Sequence, residues 1–262
     1  MPQPPRSSIA PDLPPVIGHR GAAGSAPENT LASFQRAAEL GLSWVECDLR
    51  LTADGQAALL HDATLDRTTN GRGLLAGATT RRLAELDAGS WFGGGFTRER
   101  VPTLEQALEC WQRHGLSANL ELKTEDGSAE PLTRAVAAVL ASAPFSGALL
   151  LSSFEPPALI ASVIHLPELP RGLLVEDLTE ENLERARSLG CISIHASAAS
   201  LTAERVKDAR SRGLVVMAYT VNEPEPARTL WSWGVKSVFS DFPERLSILG
   251  GCARPLAPGP RG

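Results

Sequence analysis

Between residues 16 and 239, short apolar runs alternate with stretches in which apolar residues recur every three or four positions. The runs are Val16-Ile17, Leu42 to Leu51, Ala118 to Leu122, Gly147 to Leu151, Arg171 to Val175, Cys191 to His195, Val215 to Thr220 and Lys236 to Phe239. Their length and their turn-forming flanks read as strands. The intervening stretches carry the helical period. In the first of them, Leu31, Phe34, Ala37, Ala38 and Gly41 recur at i, i+3 and i+4 spacing, which predicts a helix over Thr30 to Leu40 with Asn29 as its N-cap. Thr103 is the expected N-cap of a helix over 104–114, with Glu105 near its positive end. Further helices are predicted near 131–143, 156–164, 179–189, 202–212 and 223–233, and a last one after Pro243.

Eight strands, each followed by helical or connecting sequence, predict a parallel α/β architecture. An open doubly wound sheet would show the same alternation. No G-x-G-x-x-G follows the first strand, however, and polar residues recur at the carboxyl ends of several strands, where a barrel collects its chemistry. The expected fold is therefore a single (β/α)8 TIM barrel over residues 15–250, with a small insertion after the second strand. Asp54-Gly55, between Leu51 and Ala57, has the form of a two-residue hairpin turn that folds the chain back and returns His61 towards the second strand's end. Residues 64–103 lack the barrel rhythm. They hold Thr68-Thr69-Asn70-Gly71, a short helix near Thr80 to Leu86 and Gly93-Gly94-Gly95, and they read as an insertion over one edge of the barrel mouth. Residues 1–14 and 251–262, rich in proline, read as flexible tails.

Length and composition fit this picture. The 262 residues match one α/β barrel, typically ~250 residues, and 43% apolar content is enough for a large core. A net charge of -5 leaves no basic footprint for nucleic acid. No apolar run approaches the roughly 18 residues of a membrane span. The N-terminus shows no apolar signal segment, so a cytoplasmic location is expected. Cys47, Cys110, Cys191 and Cys252 are scattered without a C-x-x-C pair and read as free thiols.

The candidate chemistry comes from strand parity. Side chains alternate faces, so Glu46 and Asp48 share one face while Val45, Cys47 and Leu49 turn to the helices. The same parity aligns Asn119, Glu121 and Lys123, with Leu120 and Leu122 opposite. Two neighbouring strands thus aim Glu46, Asp48, Glu121 and Lys123 into one volume. An ion pair of Glu with Lys in a polar layer would explain one carboxylate but not three, because like charges at close range oppose ionisation. A hard divalent cation with oxygen ligands, Mg²⁺ or Ca²⁺, answers that repulsion. His19 and His61 each end an apolar run beside a charged residue, and titration near neutrality suits them to proton transfer. Arg20 and Lys123 suit a phosphate. Metal, two histidines and cations together point to phosphodiester cleavage. His114, His165 and His195 carry weaker cases, and His195, at the end of the sixth strand, stays outside the candidate set.

Several motifs occur together: His19-Arg20-Gly21 with Pro27-Glu28-Asn29-Thr30, Glu46-Cys47-Asp48, and His61-Asp62 leading into Leu65-Asp66-Arg67-Thr68-Thr69-Asn70-Gly71. Val101-Pro102-Thr103-Leu104, Asn119-Leu120-Glu121-Leu122-Lys123 and Ser240-Asp241-Phe242-Pro243 follow. With these motifs the sequence resembles the glycerophosphodiester phosphodiesterases of cytosolic bacterial type. The resemblance implies a (β/α)8 barrel that hydrolyses deacylated phospholipids to sn-glycerol 3-phosphate and an alcohol. It implies that Glu46, Asp48 and Glu121 hold one divalent cation, that His19 and His61 are catalytic, and that Arg20 and Lys123 bind the substrate phosphate. His19 is expected to be the base and His61 the acid in attack by the glycerol 2-hydroxyl; a direct attack by water uses the same residues. Tyr219 stands where relatives commonly carry tryptophan, and it is expected to pack on the substrate. The expected partner is a small-molecule glycerophosphodiester. The sequence says nothing of oligomeric state. One rival is a phosphodiesterase of the same barrel acting on lysophospholipids, with Trp91, Phe92 and Phe96 of the insertion as acyl surface. The other is a barrel that binds a phosphodiester without turnover.

Overall fold

The computed structural model describes residues 11–125 and 127–247. Within them eight parallel strands close on themselves: β1 (Val16–Gly18), β2 (Trp44–Leu51), β4 (Ser117–Leu122), β5 (Leu149–Ser153), β6 (Arg171–Val175), β7 (Ser193–Ser197), β8 (Val215–Tyr219) and β9 (Ser237–Ser240). They pair in chain order, and β1 seals the ring by pairing with both β9 and β2. The remaining strand, β3 (Ala57–Leu59), lies antiparallel on the end of β2, beyond the point where three-residue β1 stops. The closed barrel expected from the polar strand ends is what forms.

The helices lie outside in the expected order: α1 (Leu31–Glu39), α2 (Thr80–Leu83) between β3 and β4, α3 (Leu104–His114), α4 (Ala129–Ser142), α5 (Pro156–His165), α6 (Glu180–Ser188), α7 (Ala203–Ser211), α8 (Pro224–Trp233) and α9 (Pro243–Ser247). Apolar strand residues of one parity meet them. Val45, Cys47, Leu49, Ala118, Leu120 and Leu122 join Phe34, Leu108 and Trp111 in one core; the β6–β9 half has its own. The helix starts follow their capping chemistry. Thr103 caps α3 in a full capping box with Gln106, and Gly115 ends that helix in the left-handed region.

Two local expectations change. The cap of α1 is Thr30, whose hydroxyl accepts the Ser33 N–H; Asn29 is free for another task. The β2–β3 connection is a five-residue loop, because Leu51 pairs with Ala57 and the Thr52 N–H donates to the Gln56 carbonyl. Asp54 and Gly55 still lie in its turn, where the Gly55 N–H donates to the Thr52 carbonyl at 3.0 Å and Gly55 adopts φ +73°, and Asp54 accepts from the Thr52 and Thr80 hydroxyls at 2.7 Å. Residues 61–103 pack around a small core of their own that includes Leu60, Leu65, Leu75, Leu83 and Val101. Residues 1–10 and 248–262, where most of the expected tails fall, lie outside the described residues, as does Cys252. Leu13 is buried inside the barrel beside Ile17 and Phe239, and the next residue's carbonyl accepts the Ser237 hydroxyl at 2.6 Å. Cys47, Cys110 and Cys191 are free and buried.

Candidate active site

The carboxyl ends of β1, β2, β4 and β9, with the residues after β3, converge on one cavity of about 270 Å³. Register sets its centre: Glu46 lies beside Asn119 and Asp48 beside Glu121 across the β2–β4 pair. Carboxylate oxygens of Glu46, Asp48 and Glu121 all fall within 4.8 Å of one another, and the three residues are buried. Burial and the neighbouring Asp48 charge push the Glu46 carboxyl up to about 8. Asp48 goes the other way, to about 2: burial alone would raise it, but Arg20 and Lys123 outweigh that. Glu46 Oε1 has no hydrogen-bond partner among the described residues. An all-oxygen donor set with an orphaned buried carboxylate oxygen fits a hard divalent cation.

The cations are already engaged. Lys123 Nζ lies 2.7 Å from Glu121 and 3.4 Å from Asp48. Arg20 lies 3.3 Å from Asp48 and donates to Glu28 at 2.8 Å. The Glu–Lys pair weighed as a purely structural reading is therefore present, inside a larger cluster. Arg20 adopts φ +49° and Asn29 φ +56°, uncommon for residues with a side chain. Surrounding bonds hold both. The Arg20 N–H donates to Glu46 Oε2 at 2.8 Å, and the Arg20 carbonyl accepts from Asn29 N and the Ser33 hydroxyl. Asn29 grips Asp48 twice, donating Nδ2 to its carboxylate and accepting its backbone N–H.

Each histidine has a carboxylate on Nδ1. His19 meets Asp241 at 2.6 Å and His61 meets Asp62 at 2.7 Å. A carboxylate only accepts, so each Nδ1 carries the proton and each Nε2 is left for other work. The two imidazoles differ. Burial by itself depresses His19, but Asp241 and the Glu46 charge prevail and raise its pKa. Burial depresses His61, and its Asp62 bond and the Asp48 charge do not reverse that. Asp241 is fixed by Asn222, which donates Nδ2 to the free carboxylate oxygen and accepts the Asp241 N–H. Asp62 is fixed by Arg67, which reaches on to Glu28.

All eight residues expected at the site are therefore near one another: Asp48 bonds to the cavity's cations, and the other seven line the cavity itself. Tyr219 ends β8 and meets Phe154 edge-on with ring centroids 5.9 Å apart. Trp91, Phe92 and Phe96 instead pack edge-to-face on one another and do not line the cavity. Residues given no catalytic or binding role from sequence are Asn29, expected only as a helix cap, Asn119, placed only by parity, His195, a weaker candidate, and Asn222 and Asp241. Asp241 was within reach of sequence reasoning, since it directly follows the last strand. Asn222 carried no signal, because only folding sets it against residue 241.

A model of the glycerophosphoryl diester phosphodiesterase family matches residues 19–245. A glycerophosphodiester phosphodiesterase of Caldanaerobacter subterraneus subsp. tengcongensis is 34% identical over 235 residues, 88% of this chain and 95% of that protein. One of Bacillus subtilis is 32% identical over 254 residues, 90% and 86% of the two chains. Among solved structures, an Oleispira antarctica phosphodiesterase in complex with the product sn-glycerol-3-phosphate is 39% identical, with a TM-score of 0.88 over 90% of this chain and 96% of that one.

Proposed function

This chain belongs to the glycerophosphoryl diester phosphodiesterase family, and on that footing we propose that it hydrolyses glycerophosphodiesters to sn-glycerol 3-phosphate and an alcohol with a divalent cation bound. One observation carries the reading. Two histidines, each held through Nδ1 by a carboxylate, share a cavity with three clustered carboxylates, an arginine and a lysine. The relatives' names and the product bound to the Oleispira antarctica enzyme support the same substrate class.

Glu46, Asp48 and Glu121 would hold Mg²⁺ or Ca²⁺, which when bound supplies positive charge for the phosphate oxygens and the attacking oxygen. Arg20 and Lys123 add charge on the same side of the cavity. His19, with its proton fixed on Nδ1, offers Nε2 as the base that takes the proton of the glycerol 2-hydroxyl. That oxygen bonds to phosphorus as the bond to the alcohol oxygen breaks, and His61, entering the step as the imidazolium with a second proton on Nε2, delivers that proton to the departing alcohol. Water then opens the cyclic phosphate with the histidine roles exchanged. Tyr219 and Phe154 offer an apolar wall for the carbon skeleton.

The lysophospholipid alternative is disfavoured because the insertion's aromatic residues Trp91, Phe92 and Phe96 do not line the cavity. The purified chain with Mg²⁺ or Ca²⁺ should release sn-glycerol 3-phosphate from glycerophosphocholine. A preference for lysophosphatidylcholine, or inertness on every glycerophosphodiester, would overturn the proposal.

A further inference from the structure

We infer that Asn119 and His195 form a hydroxyl-recognition subsite at the closed inner end of the cavity, and that it selects a glycerol end with its terminal hydroxyl free. The inference rests on the reading of the site as a glycerophosphodiesterase and names what in this chain enforces it.

Both residues line the catalytic cavity, and both are almost fully buried, Asn119 at 1% exposure and His195 at 0%. Each keeps one polar atom satisfied by a barrel neighbour. Asn119 Nδ2 donates to the Ser152 hydroxyl at 2.9 Å, and His195 Nε2 bonds the Ser193 hydroxyl at 2.9 Å. Each has a second polar atom, Asn119 Oδ1 and His195 Nδ1, that is buried and without a partner among the described residues. Reversing the Asn119 amide changes nothing, because one hydroxyl can satisfy only one half of it. Leaving such an atom unpaired costs about 1–3 kcal/mol, so two in one cavity call for a polar ligand.

The barrel also gives up packing to hold this imidazole. A Cβ at Gly172 would fall 2.5 Å from both His195 Nε2 and Ser193 Oγ, so the ring occupies the space a side chain on β6 would fill. Phe239 lies against it at 5.4 Å between centroids. Burial drives the His195 pKa down to about 3, so the ring stays neutral and can meet a hydroxyl as donor or acceptor.

The cavity's layout decides which ligand group comes here. The cationic groups and the histidines fix the phosphorus near the strand ends. Of the two ester arms, the alcohol varies and must leave to solvent. Glycerol is the constant arm and is small enough for the inner end. With its 2-hydroxyl at phosphorus, its terminal hydroxyl is the group available to Asn119 and His195. An acyl ester there removes the donor and leaves Asn119 Oδ1 and His195 Nδ1 unpaired.

The test compares binding by the full chain, with Mg²⁺ present, of sn-glycerol 3-phosphate, of 1,2-propanediol 1-phosphate, which lacks only the terminal hydroxyl, and of inorganic phosphate, by calorimetry. The native chain should bind the glycerol ester roughly 10- to 100-fold more tightly than the propanediol ester. Asn119→Ala and His195→Ala, checked for folding by thermal melting, should each erase most of that ratio and leave phosphate affinity within about twofold. Equal affinity of the native chain for the two esters would overturn the subsite, and so would a ratio that survives in both variants. A parallel loss of phosphate affinity would also overturn it, by showing a structural role. If the ratio behaves as stated while glycerophosphocholine is not turned over, the functional reading fails and the subsite stands.

Discussion

Asp241→Asn changes one atom of the site, and the neighbouring bonds dictate the consequence. In the native chain one Asp241 oxygen accepts the His19 Nδ1 proton at 2.6 Å, and the other accepts Asn222 Nδ2 at 2.9 Å. Asn222 cannot turn round, because its own Oδ1 already accepts the Asp241 N–H at 2.8 Å and the Ser240 hydroxyl at 3.1 Å. A donor therefore faces one side of position 241, and the introduced amide must turn its oxygen to Asn222 and its NH₂ to His19. Nδ1 is then forced to accept, the imidazole proton moves to Nε2, and the atom offered as base is blocked. In a serine-protease triad the same exchange of tautomer costs about 10⁴ in kcat with the geometry intact. A loss of roughly 10³ to 10⁴ in kcat, with KM changed less than about threefold, is expected here. The assay is release of sn-glycerol 3-phosphate from glycerophosphocholine under saturating divalent cation. Asn222→Ala in the same background frees the amide to turn its oxygen to His19, so the double variant should be roughly 10-fold more active than Asp241→Asn alone. A kcat within about fivefold of native for Asp241→Asn would refute the tautomer reasoning. A double variant worse than either single one would refute the role given to Asn222.

Chelation should abolish turnover, and returning Mg²⁺ or Ca²⁺ at about 100 times its Kd should restore it and add about 2.7 kcal/mol of stability, seen as a rise in Tm; no response in either readout would rule out the site at Glu46, Asp48 and Glu121. His61→Ala should lower kcat by roughly 10² to 10⁴, and an intact kcat would remove its acid role. Asn29→Ala breaks both bonds to Asp48 and leaves a Cβ residue at φ +56°. It should cost about 2–4 kcal/mol, a Tm drop of roughly 5–15 °C, with Asn29→Gly less harmful because the backbone strain goes. Because burial holds the His195 pKa near 3, well below its unfolded value of 6.5, unfolding takes up a proton as pH falls between those limits. Stability from this group is complete above pH 6.5 and falls by about 2 kcal/mol by pH 5. Urea unfolding of His195→Asn at pH 7 and pH 5 should show a slope flatter than native by that amount, and an unchanged slope would mean that His195 titrates normally.

The order of elements was legible because each depends on local chemistry. Alternating parity on β2 and β4 put Val45, Cys47, Leu120 and Leu122 against helices and so turned Glu46, Asp48 and Glu121 inward, as the period of two requires. Thr103 announced α3 for the same local reason. Where two local signals competed, reading by position failed. Asn29 and Thr30 are both good caps, and the choice fell to Thr30 because Asp48, nineteen residues on, claims the Asn29 amide. Asp54 and Gly55 do turn the chain back from β2 to β3, but in a longer loop than two residues, to which Thr80 donates from outside through its hydroxyl and N–H.

The chain's own sequence thus determined which side chains face inward at each strand end. Only ring closure determined which strand ends meet. Pairing of β1 with β9 brings Asp241 to His19 across 222 residues, and the turn after β8 places Asn222 behind it, fixing the proton on Nδ1. Closure likewise sets His195 in the space left by Gly172 and brings it to the same cavity as Asn119. Strand parity is a property of consecutive residues, whereas a tautomer or an orphaned atom depends on partners that the linear chain does not bring together.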